Sequence, residues 1–283
     1  GDDYSTYGAE LWKSDGTPGG TVMVKDINSG SNSSYPYYLT NVNGTLFFQA
    51  YDETNGYELW KSDGTTVGTV IVKDIYPGSN NSSPSYLTNV NGILLFRAND
   101  GTYGSELWKS DGTSVGTQGV KDIYTGSSNS SPSYLTNVNG TLFFQANDGS
   151  NGTELWKSNG TAFGTVMVKD IYTGSNSSSP SNFANVNGTL FFRANDGTNG
   201  YELWKSDGTE GNTEIVKNIN AGGSHSYPSY LTNVNGTLFF RANNGTNGDE
   251  LWKSDGTEVG TVMVKDIYSG SNGGYPYYLT NVN

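Results

Sequence analysis

Four aspartates recur at one loop position and could bind a hard cation. Asp52, Asp100, Asp148 and Asp196 each lie in a turn-rich segment with a glutamate six residues further on. Carboxylate and carbonyl oxygens are the ligands that Ca²⁺ prefers, so the set is a candidate calcium site. Its spacing differs from the Asp-x-Asp-x-Asp-Gly loop, and Asp-Gly is also ordinary turn chemistry. Both interpretations stay open, and calcium is the one cofactor that the sequence suggests.

A second set of polar residues ends the second β-prone run of the repeats. Arg97, Arg193 and Arg241 alternate there with Gln49 and Gln145. Such a ring of hydrogen-bond donors at one mouth of a channel could bind an anionic glycan. The arginines could equally pair with an aspartate or glutamate of the neighbouring repeat, which would give them a structural role. These five residues are the candidate ligand-binding set.

Residues for catalysis are hard to find in this sequence. His225 is the single histidine, and its Gly/Ser-rich loop offers no orienting partner for a general base. The absence of cysteine excludes disulfides and thiolate metal sites. Enzymes built on propellers usually break their symmetry with insertions or unique residues, whereas every repeat interval here is 48 residues. We therefore expect the protein not to be an enzyme.

The elements that carry these residues repeat at a fixed interval, which is typical of repeat architectures. Each repeat contains four β-prone runs, and Asn-Gly between the first two predicts a tight hairpin. The second run, for example Leu94–Phe96, is apolar on both faces, as expected for a strand between neighbouring sheets. A tryptophan marks the third run, and its flanking leucine favours packing between sheets over a sugar-stacking platform. The six tryptophans are Trp12, Trp60, Trp108, Trp156, Trp204 and Trp252.

Four strands in 48 residues predict the antiparallel blade of a β-propeller, and six repeats predict six blades in a single domain over residues 1–283. The sequence begins within a repeat, so one blade is expected to be split between the termini, with Tyr278–Val282 contributing its first strand. That blade would lack one strand. We expect a fragment of a longer repeat protein. A β-solenoid, which usually has shorter rungs, is the alternative fold.

Composition limits the partners. The net charge of −12 and the pI near 4.4 argue against nucleic acid, whose phosphates require a basic surface. The sequence has no apolar run of 18 residues, so we expect no membrane insertion. Twenty tyrosines and six tryptophans compensate for a modest aliphatic content and favour a folded chain.

The motif Glu-Leu-Trp-Lys-Ser-Asp-Gly-Thr, followed by Gly-Thr and Val-Lys-Asp-Ile, resembles the ELWxxDGT repeat family of bacterial proteins. The resemblance covers essentially the whole chain. It departs from the pattern at Asn159, at Gln118-Gly119 and at Asn218. It implies a propeller-like fold and an extracellular or cell-surface location, and it carries over no catalytic or ligand residues. The blade layout is also similar to that of kelch repeats, although the kelch double glycine is missing.

The function that these observations favour is a non-catalytic extracellular binding or adhesion module, multivalent and carbohydrate-binding. A glycan or a surface protein would be its partner. The alternative is a structural subunit of a surface filament or sheath, which would self-associate through an open strand edge. Discrete monomers in solution would separate the first function from the second.

Overall fold

The computed structural model describes residues 6–282, and this part of the chain is built from β-strands, turns and loops. Within it there is no helix, and hence none long and apolar enough to cross a membrane. The strands form one two-stranded sheet and five four-stranded antiparallel sheets with the same layout. The predicted all-β class and the four-stranded antiparallel unit are therefore confirmed.

The strands are numbered in chain order, and each sheet takes consecutive strands. Sheet 1 contains β1 (Leu11–Lys13) and β2 (Val22–Lys25). Sheet 2 contains β3 (Tyr37–Val42), β4 (Thr45–Asp52), β5 (Gly56–Ser62) and β6 (Val70–Lys73). Sheet 3 contains β7 (Ser85–Val90), β8 (Ile93–Asn99), β9 (Ser105–Ser110) and β10 (Gln118–Lys121).

The remaining sheets follow the same order. Sheet 4 contains β11 (Ser133–Val138), β12 (Thr141–Asn147), β13 (Thr153–Ser158) and β14 (Val166–Lys169). Sheet 5 contains β15 (Ser181–Val186), β16 (Thr189–Asn195), β17 (Tyr201–Ser206) and β18 (Glu214–Lys217). Sheet 6 contains β19 (Ser229–Val234), β20 (Thr237–Asn243), β21 (Asp249–Ser254) and β22 (Val262–Lys265).

The predicted strand at Tyr278–Val282 is wrong, because these residues form no strand. In the other repeats the corresponding segment pairs with the Leu-Phe-Phe strand that follows the Asn-Gly turn, as β7 does with β8. The sequence given ends at Asn283, before such a strand. A strand needs a hydrogen-bonded neighbour, and this segment has no adjacent hairpin partner.

The Asn-Gly hairpins form as the sequence predicts. Asn91 and Gly92 both have positive φ, 53° and 83°, as the tight primed turns require. The Asn89 side chain completes the turn by accepting a hydrogen bond from the Gly92 amide, with Oδ1 and N 3.0 Å apart. Each turn thus fixes the register of the first two strands of a sheet.

The chain divides into two compact units, Gly1–Leu135 with Gly160–Ala162, and Thr136–Asn159 with Phe163–Asn283. In the first unit, neighbouring sheets pack face to face. Phe47 and Leu59 of sheet 2 share one apolar cluster with Phe96 and Trp108 of sheet 3. Trp60 packs in the same way against Leu11 and other residues of sheet 1.

The second unit repeats this packing. Phe143 of sheet 4 lies in one cluster with Phe192 and Trp204 of sheet 5. Phe191 of sheet 5 lies in another with Phe240 and Trp252 of sheet 6. Five of the six tryptophans are 5–7 % exposed, and for Trp60, Trp108, Trp204 and Trp252 the clusters confirm packing between sheets rather than sugar stacking.

Lysines connect successive sheets within a unit. Lys61 of β5 donates to the Gly112 carbonyl oxygen at 2.8 Å, and Lys73 of β6 donates to that of Thr117 at 2.8 Å. The Lys73 ammonium also lies 5.8 Å from the ring centroid of Trp108. These positive charges, which the sequence shows as regular columns, therefore serve the packing between sheets.

The glutamate of the Glu-Leu-Trp motif holds the long crossing between sheets. Glu58 is fully buried, and its Oε2 accepts hydrogen bonds from the Ile75 amide at 2.9 Å and the Ser82 hydroxyl at 2.6 Å. Its Oε1 accepts one from the Ser82 amide at 3.0 Å. Buried polar groups need such partners, so the glutamate satisfies a loop that has little apolar surface to bury.

Burial also changes the acidity of these glutamates. It raises the pKa of Glu58, Glu154 and Glu202 to about 7, although hydrogen bonds from serine hydroxyls and backbone amides oppose the shift. It raises the pKa of Glu10 and Glu106 as well. The charged form is thus disfavoured because the carboxylate loses its contact with water.

We expect thermal stability to fall as the pH rises from 4.5 to about 7. Glu58, Glu154 and Glu202 have a folded-state pKa of about 7 against an ordinary value of 4.5, so the folded state binds more protons over this range. Their stabilisation is complete below pH 4.5 and is lost as the pH rises through 7. Unfolding midpoints measured at constant ionic strength between these values test this.

Glu202→Gln provides the control, because an amide side chain does not titrate. Its midpoint should depend less steeply on pH than that of the parent chain. Turn aspartates such as Asp63, whose pKa is lowered by hydrogen bonds from Thr65, act below the ordinary value of 3.8 and leave this range unaffected. A midpoint independent of pH, or equal slopes for the two chains, would contradict the assignment.

Core packing makes a second prediction. Phe96 is 0 % exposed and lies between sheets 2 and 3. Phe96→Ala should therefore lower the free energy of unfolding by about 3–5 kcal/mol. Phe163→Ala is the matched control, because Phe163 is 97 % exposed and its removal should change stability by less than about 0.5 kcal/mol. Urea unfolding of both variants measures the difference, and equal losses would show that the Phe96 contacts are misplaced.

Candidate functional site

The first strand of each four-stranded sheet contains a strained residue near its start. Tyr38, Tyr86 and Tyr230 have φ of 58°, 56° and 56°, in the left-handed region that tyrosine rarely adopts. The pairing register shifts at these points, which marks a β-bulge. Backbone strain of this kind costs about 1–3 kcal/mol per residue and clusters at functional sites.

In the first unit, Tyr38 borders a cavity of about 420 Å³. We call it the Tyr–Arg pocket, and its lining residues are Tyr37, Tyr38, Gln49, Ser83, Ser85 and Arg97. Tyr37 is 55 % and Tyr38 48 % exposed, so two aromatic rings face solvent at its wall. The pocket thus combines a guanidinium, an amide and hydroxyl groups with planar apolar surface.

Arg97 is held by its strand partner and by an aromatic ring. Its Nε donates to the Ser85 hydroxyl at 3.1 Å, and the guanidinium carbon lies 5.1 Å from the centroid of the Tyr86 ring. Among residues 6–282, neither terminal amino group of Arg97 has a hydrogen-bond acceptor. The side chain is therefore fixed by one edge and one face, and its two terminal nitrogens can bind a carboxylate or phosphate.

The second unit has related clusters of arginine and tyrosine. The Arg241 guanidinium lies 5.1 Å from the Tyr230 ring and 5.0 Å from that of Tyr277. The Arg193 guanidinium lies 5.3 Å from the Tyr201 ring. Its Nε is buried and makes no hydrogen bond to a described residue. A buried donor without a partner is costly, so this arginine is another candidate for binding an anionic group.

The five predicted ligand-binding residues occupy corresponding strand positions. Gln49 and Arg97 line the Tyr–Arg pocket together. Gln145 pairs opposite Leu155, as Arg193 does with Leu203 and Arg241 with Leu251. Their role in binding stays a prediction.

The expected ion pairs between these arginines and acids of the next sheet are not found in residues 6–282. Arg241 instead lies 3.9 Å, from Nε to Oδ1, from Asp249 of its own sheet. That separation is an ion pair but is too long for a hydrogen bond. Arg97 pairs with a serine hydroxyl, so its positive charge is left uncompensated by an acid there.

The four predicted calcium ligands act as turn acceptors. Asp100 Oδ1 accepts hydrogen bonds from the amides of Thr102 and Tyr103, both at 2.8 Å. Asp52, Asp148 and Asp196 accept the equivalent amides of their own loops. Residues 6–282 hold no group of three or more acids, histidines or cysteines placed to bind a metal. Calcium binding at these loops stays a prediction without a supporting cluster.

His225 also has a structural contact. Its Nδ1 accepts a hydrogen bond from the Tyr201 amide at 2.9 Å, and its ring lies 5.3 Å and 5.0 Å from those of Tyr201 and Tyr227. Asn81 makes the same contact to the Tyr57 amide. The histidine therefore occupies a loop-anchoring position.

Sequence reasoning missed the bulged tyrosines and the buried glutamates. A raised pKa can mark a catalytic acid. Both carboxylate oxygens of Glu58, however, already accept hydrogen bonds from the loop, and the side chain is fully buried. The signal for this role is the serine that recurs 24 residues after the glutamate, as Ser82 follows Glu58. The signal for the bulge is the Ser-Tyr-Leu-Thr segment that follows proline, as at Pro84.

Comparison with known proteins shows similarity of fold. No family matches the sequence, and no curated protein matches it. A serine-to-alanine mutant of puromycin hydrolase, solved in complex with PGG, superposes with a TM-score of 0.50 and 13 % identity. The match covers 91 % of this chain and 42 % of the hydrolase chain. Puromycin hydrolase without that mutation superposes with a TM-score of 0.48 and 13 % identity. That match covers 89 % of this chain and 42 % of the hydrolase chain.

These neighbours correct the prediction of function. We expected a non-catalytic adhesion module, or else a structural filament subunit, because unbroken 48-residue spacing argued against an enzyme. A hydrolase contains a similar arrangement of strands over nearly the whole length of this chain. Regular repetition of the sheets is therefore no ground for excluding an enzyme, and the expectation that the protein is not one is wrong. The chain spans less than half the length of the hydrolase chains it matches.

Proposed function

We propose that the repeated sheets are blades of a β-propeller and that the chain is the substrate-recognition part of a hydrolase-type enzyme. The fold match to puromycin hydrolase supports the enzyme class. The Tyr–Arg pocket supports the recognition role. Hydrolytic catalysis is not assigned to any residue of this chain, because its match covers 42 % of that hydrolase chain.

The observation that carries the proposal is the state of Arg97. The protein contacts its Nε and one face of its guanidinium, so its terminal amino groups are oriented but not used. An arginine presents two parallel donors that match the two oxygens of a carboxylate. The exposed rings of Tyr37 and Tyr38 can then contact a planar body attached to that carboxylate.

Charge explains why the site is selective. The chain carries a net charge of −12, so an anionic ligand is repelled at long range. Arg97 has no acid within hydrogen-bond reach, so the pocket is locally positive although the chain as a whole is negative.

Arg97→Gln tests the recognition role. Glutamine already occupies the equivalent positions 49 and 145, so the variant should fold. We expect benzoate to bind the parent chain and the variant to bind it about tenfold more weakly, because the charge-assisted hydrogen bonds are lost. Titration followed by ligand-observed NMR measures this, and benzyl alcohol is the neutral control. Equal binding of benzoate by both chains would contradict the proposed role of the pocket.

A separate experiment addresses the enzyme class. Because no residue of this chain is assigned to catalysis, the complete gene product is assayed against chromogenic amides and esters that carry a carboxylate, alongside their neutral isosteres. We expect turnover of the carboxylate substrates. Arg97→Gln should raise the KM of these substrates and leave the KM of the neutral substrates unchanged. No turnover of any substrate would remove the hydrolase part and leave the binding part to stand on the NMR result.

An extracellular or cell-surface location, and membership of the ELWxxDGT repeat family, remain proposals drawn from the sequence motif. Association through an open strand edge also remains a proposal. Secretion signals in the complete gene product would test the location directly.

A further inference from the structure

The third repeat has a pocket that its sequence makes different from the same place in the other repeats. Its volume is about 310 Å³. The wall includes the aromatic side chains of Tyr103 and Trp108 and the carboxylates of Asp100, Glu106 and Asp122. We call this cavity the Trp108 pocket. It lies wholly within the first unit.

Two residues distinguish this pocket from the same place in the other repeats. At the position of Gly119 the other repeats have methionine or isoleucine. At the position of Tyr103 the second, fourth, fifth and sixth repeats have asparagine, and the first has Tyr7. A glycine paired with a tyrosine occurs in the third repeat alone. The other residues are Met23, Ile71, Met167, Ile215 and Met263 at the first position, and Asn55, Asn151, Asn199 and Asn247 at the second.

Gly119 leaves space over the indole. It is exposed and lies directly opposite Trp108 on the paired strands β10 and β9. A Cβ atom added at Gly119 would lie 3.8 Å from Cε2 of Trp108, in ordinary contact. In other repeats this place is filled, since Ile71 packs against the Trp60 cluster and Met263 against that of Trp252.

Tyr103 removes an amide donor. In the second repeat, Asn55 Nδ2 donates to Asp52 Oδ2 at 2.9 Å. In the fifth repeat, Asn199 Nδ2 donates to Asp196 Oδ2 at 2.7 Å. Asn247 Nδ2 donates instead to the last-strand aspartate, Asp266, at 2.8 Å. The asparagine amide thus supplies a donor to the acids around this site.

Without that amide, Asp100 of the third repeat lacks the donor that its equivalents Asp52 and Asp196 have. Asp100 uses Oδ1 for its turn, and its Oδ2 accepts no hydrogen bond from a described residue. Asp122 uses Oδ2 for the Gly126 amide at 3.0 Å, and its Oδ1 is buried without a partner. The equivalent oxygens of Asp74, Asp170 and Asp266 are buried without a partner too, so what distinguishes Asp122 is the open pocket beside it. Both side chains line the Trp108 pocket. An unpartnered buried acceptor is costly, so a ligand that donates to it would gain affinity.

We propose that the Trp108 pocket binds a primary ammonium compound with an apolar or aromatic body. The ammonium group has three donors and a positive charge, which suit Asp100 and Asp122. The aromatic surface of Trp108 and Tyr103 suits both the cation and its apolar body. Lys121 also lines the pocket, and the three acids outnumber it. This inference is independent of the Tyr–Arg pocket.

A divalent cation fits the pocket less well than an ammonium group. Ca²⁺ takes six to eight oxygen ligands. The carboxylate of Glu106 already accepts hydrogen bonds from Ile123 and Ser130, which leaves Asp100 and Asp122 as the available acids. An aromatic wall contributes nothing to calcium, whereas it contributes to binding an organic cation.

The chain itself provides the test variants. Tyr103→Asn and Gly119→Met restore residues used at these positions in other repeats, and Asp122→Asn copies Asn218. Each variant should fold, and thermal unfolding confirms that. The probe is 2-phenylethylamine, followed by ligand-observed NMR on the full chain, with 2-phenylethanol as its neutral counterpart and CaCl₂ as a competitor.

We expect the amine to bind the parent chain at one site and at least about tenfold more tightly than the alcohol. Each variant should lose about tenfold in affinity for the amine, whereas Phe163→Ala, at a residue that is 97 % exposed, should leave it unchanged. Amine binding that is equal in all chains, or equal for amine and alcohol, would overturn the assignment. Displacement of the amine by CaCl₂ at low micromolar concentration, or calcium binding with no amine binding, would overturn it in favour of a metal site.

Discussion

The packing of each sheet against the next is the interaction on which the rest of the structure depends. A single four-stranded sheet cannot bury two apolar faces, and strands such as β8 are apolar on both. Phe96 and Trp108 therefore share a cluster with Phe47 and Leu59 of the preceding sheet. Every 48-residue step repeats this contact within a unit, so stability is distributed over similar interfaces rather than concentrated in one core.

This packing determines where polar groups can be placed. The crossings between sheets are rich in serine, glycine and asparagine and have little to bury, so they are held by the buried glutamates. Lys61 and Lys73 likewise place their charges on carbonyl oxygens of the adjoining repeat. These glutamates and lysines already make hydrogen bonds that hold the sheets together. The functional candidates are therefore the polar atoms that make no such bond, such as the terminal nitrogens of Arg97.

Much of the fold could be predicted from the sequence because its signals are local. Asn91-Gly92 requires a primed turn, and the strand from Leu94 to Phe96 is apolar on both faces. The site was less predictable, since tyrosine disfavours positive φ, and the Ser-Tyr-Leu-Thr segment after proline marks the bulge only once the pairing register is known. Glu58 was also missed, because its donors lie 17 and 24 residues away in sequence.

The error about function has a related cause. Symmetry of the backbone repeat does not imply symmetry of the chemistry, because side chains at equivalent positions differ. Gly119 and Tyr103 change no strand boundary and leave the 48-residue spacing intact, yet they alter a whole cavity wall. In a regular repeat protein, the scaffold explains the residues that recur. Residues that depart from the repeat, without a packing reason, are therefore the place to look for a ligand.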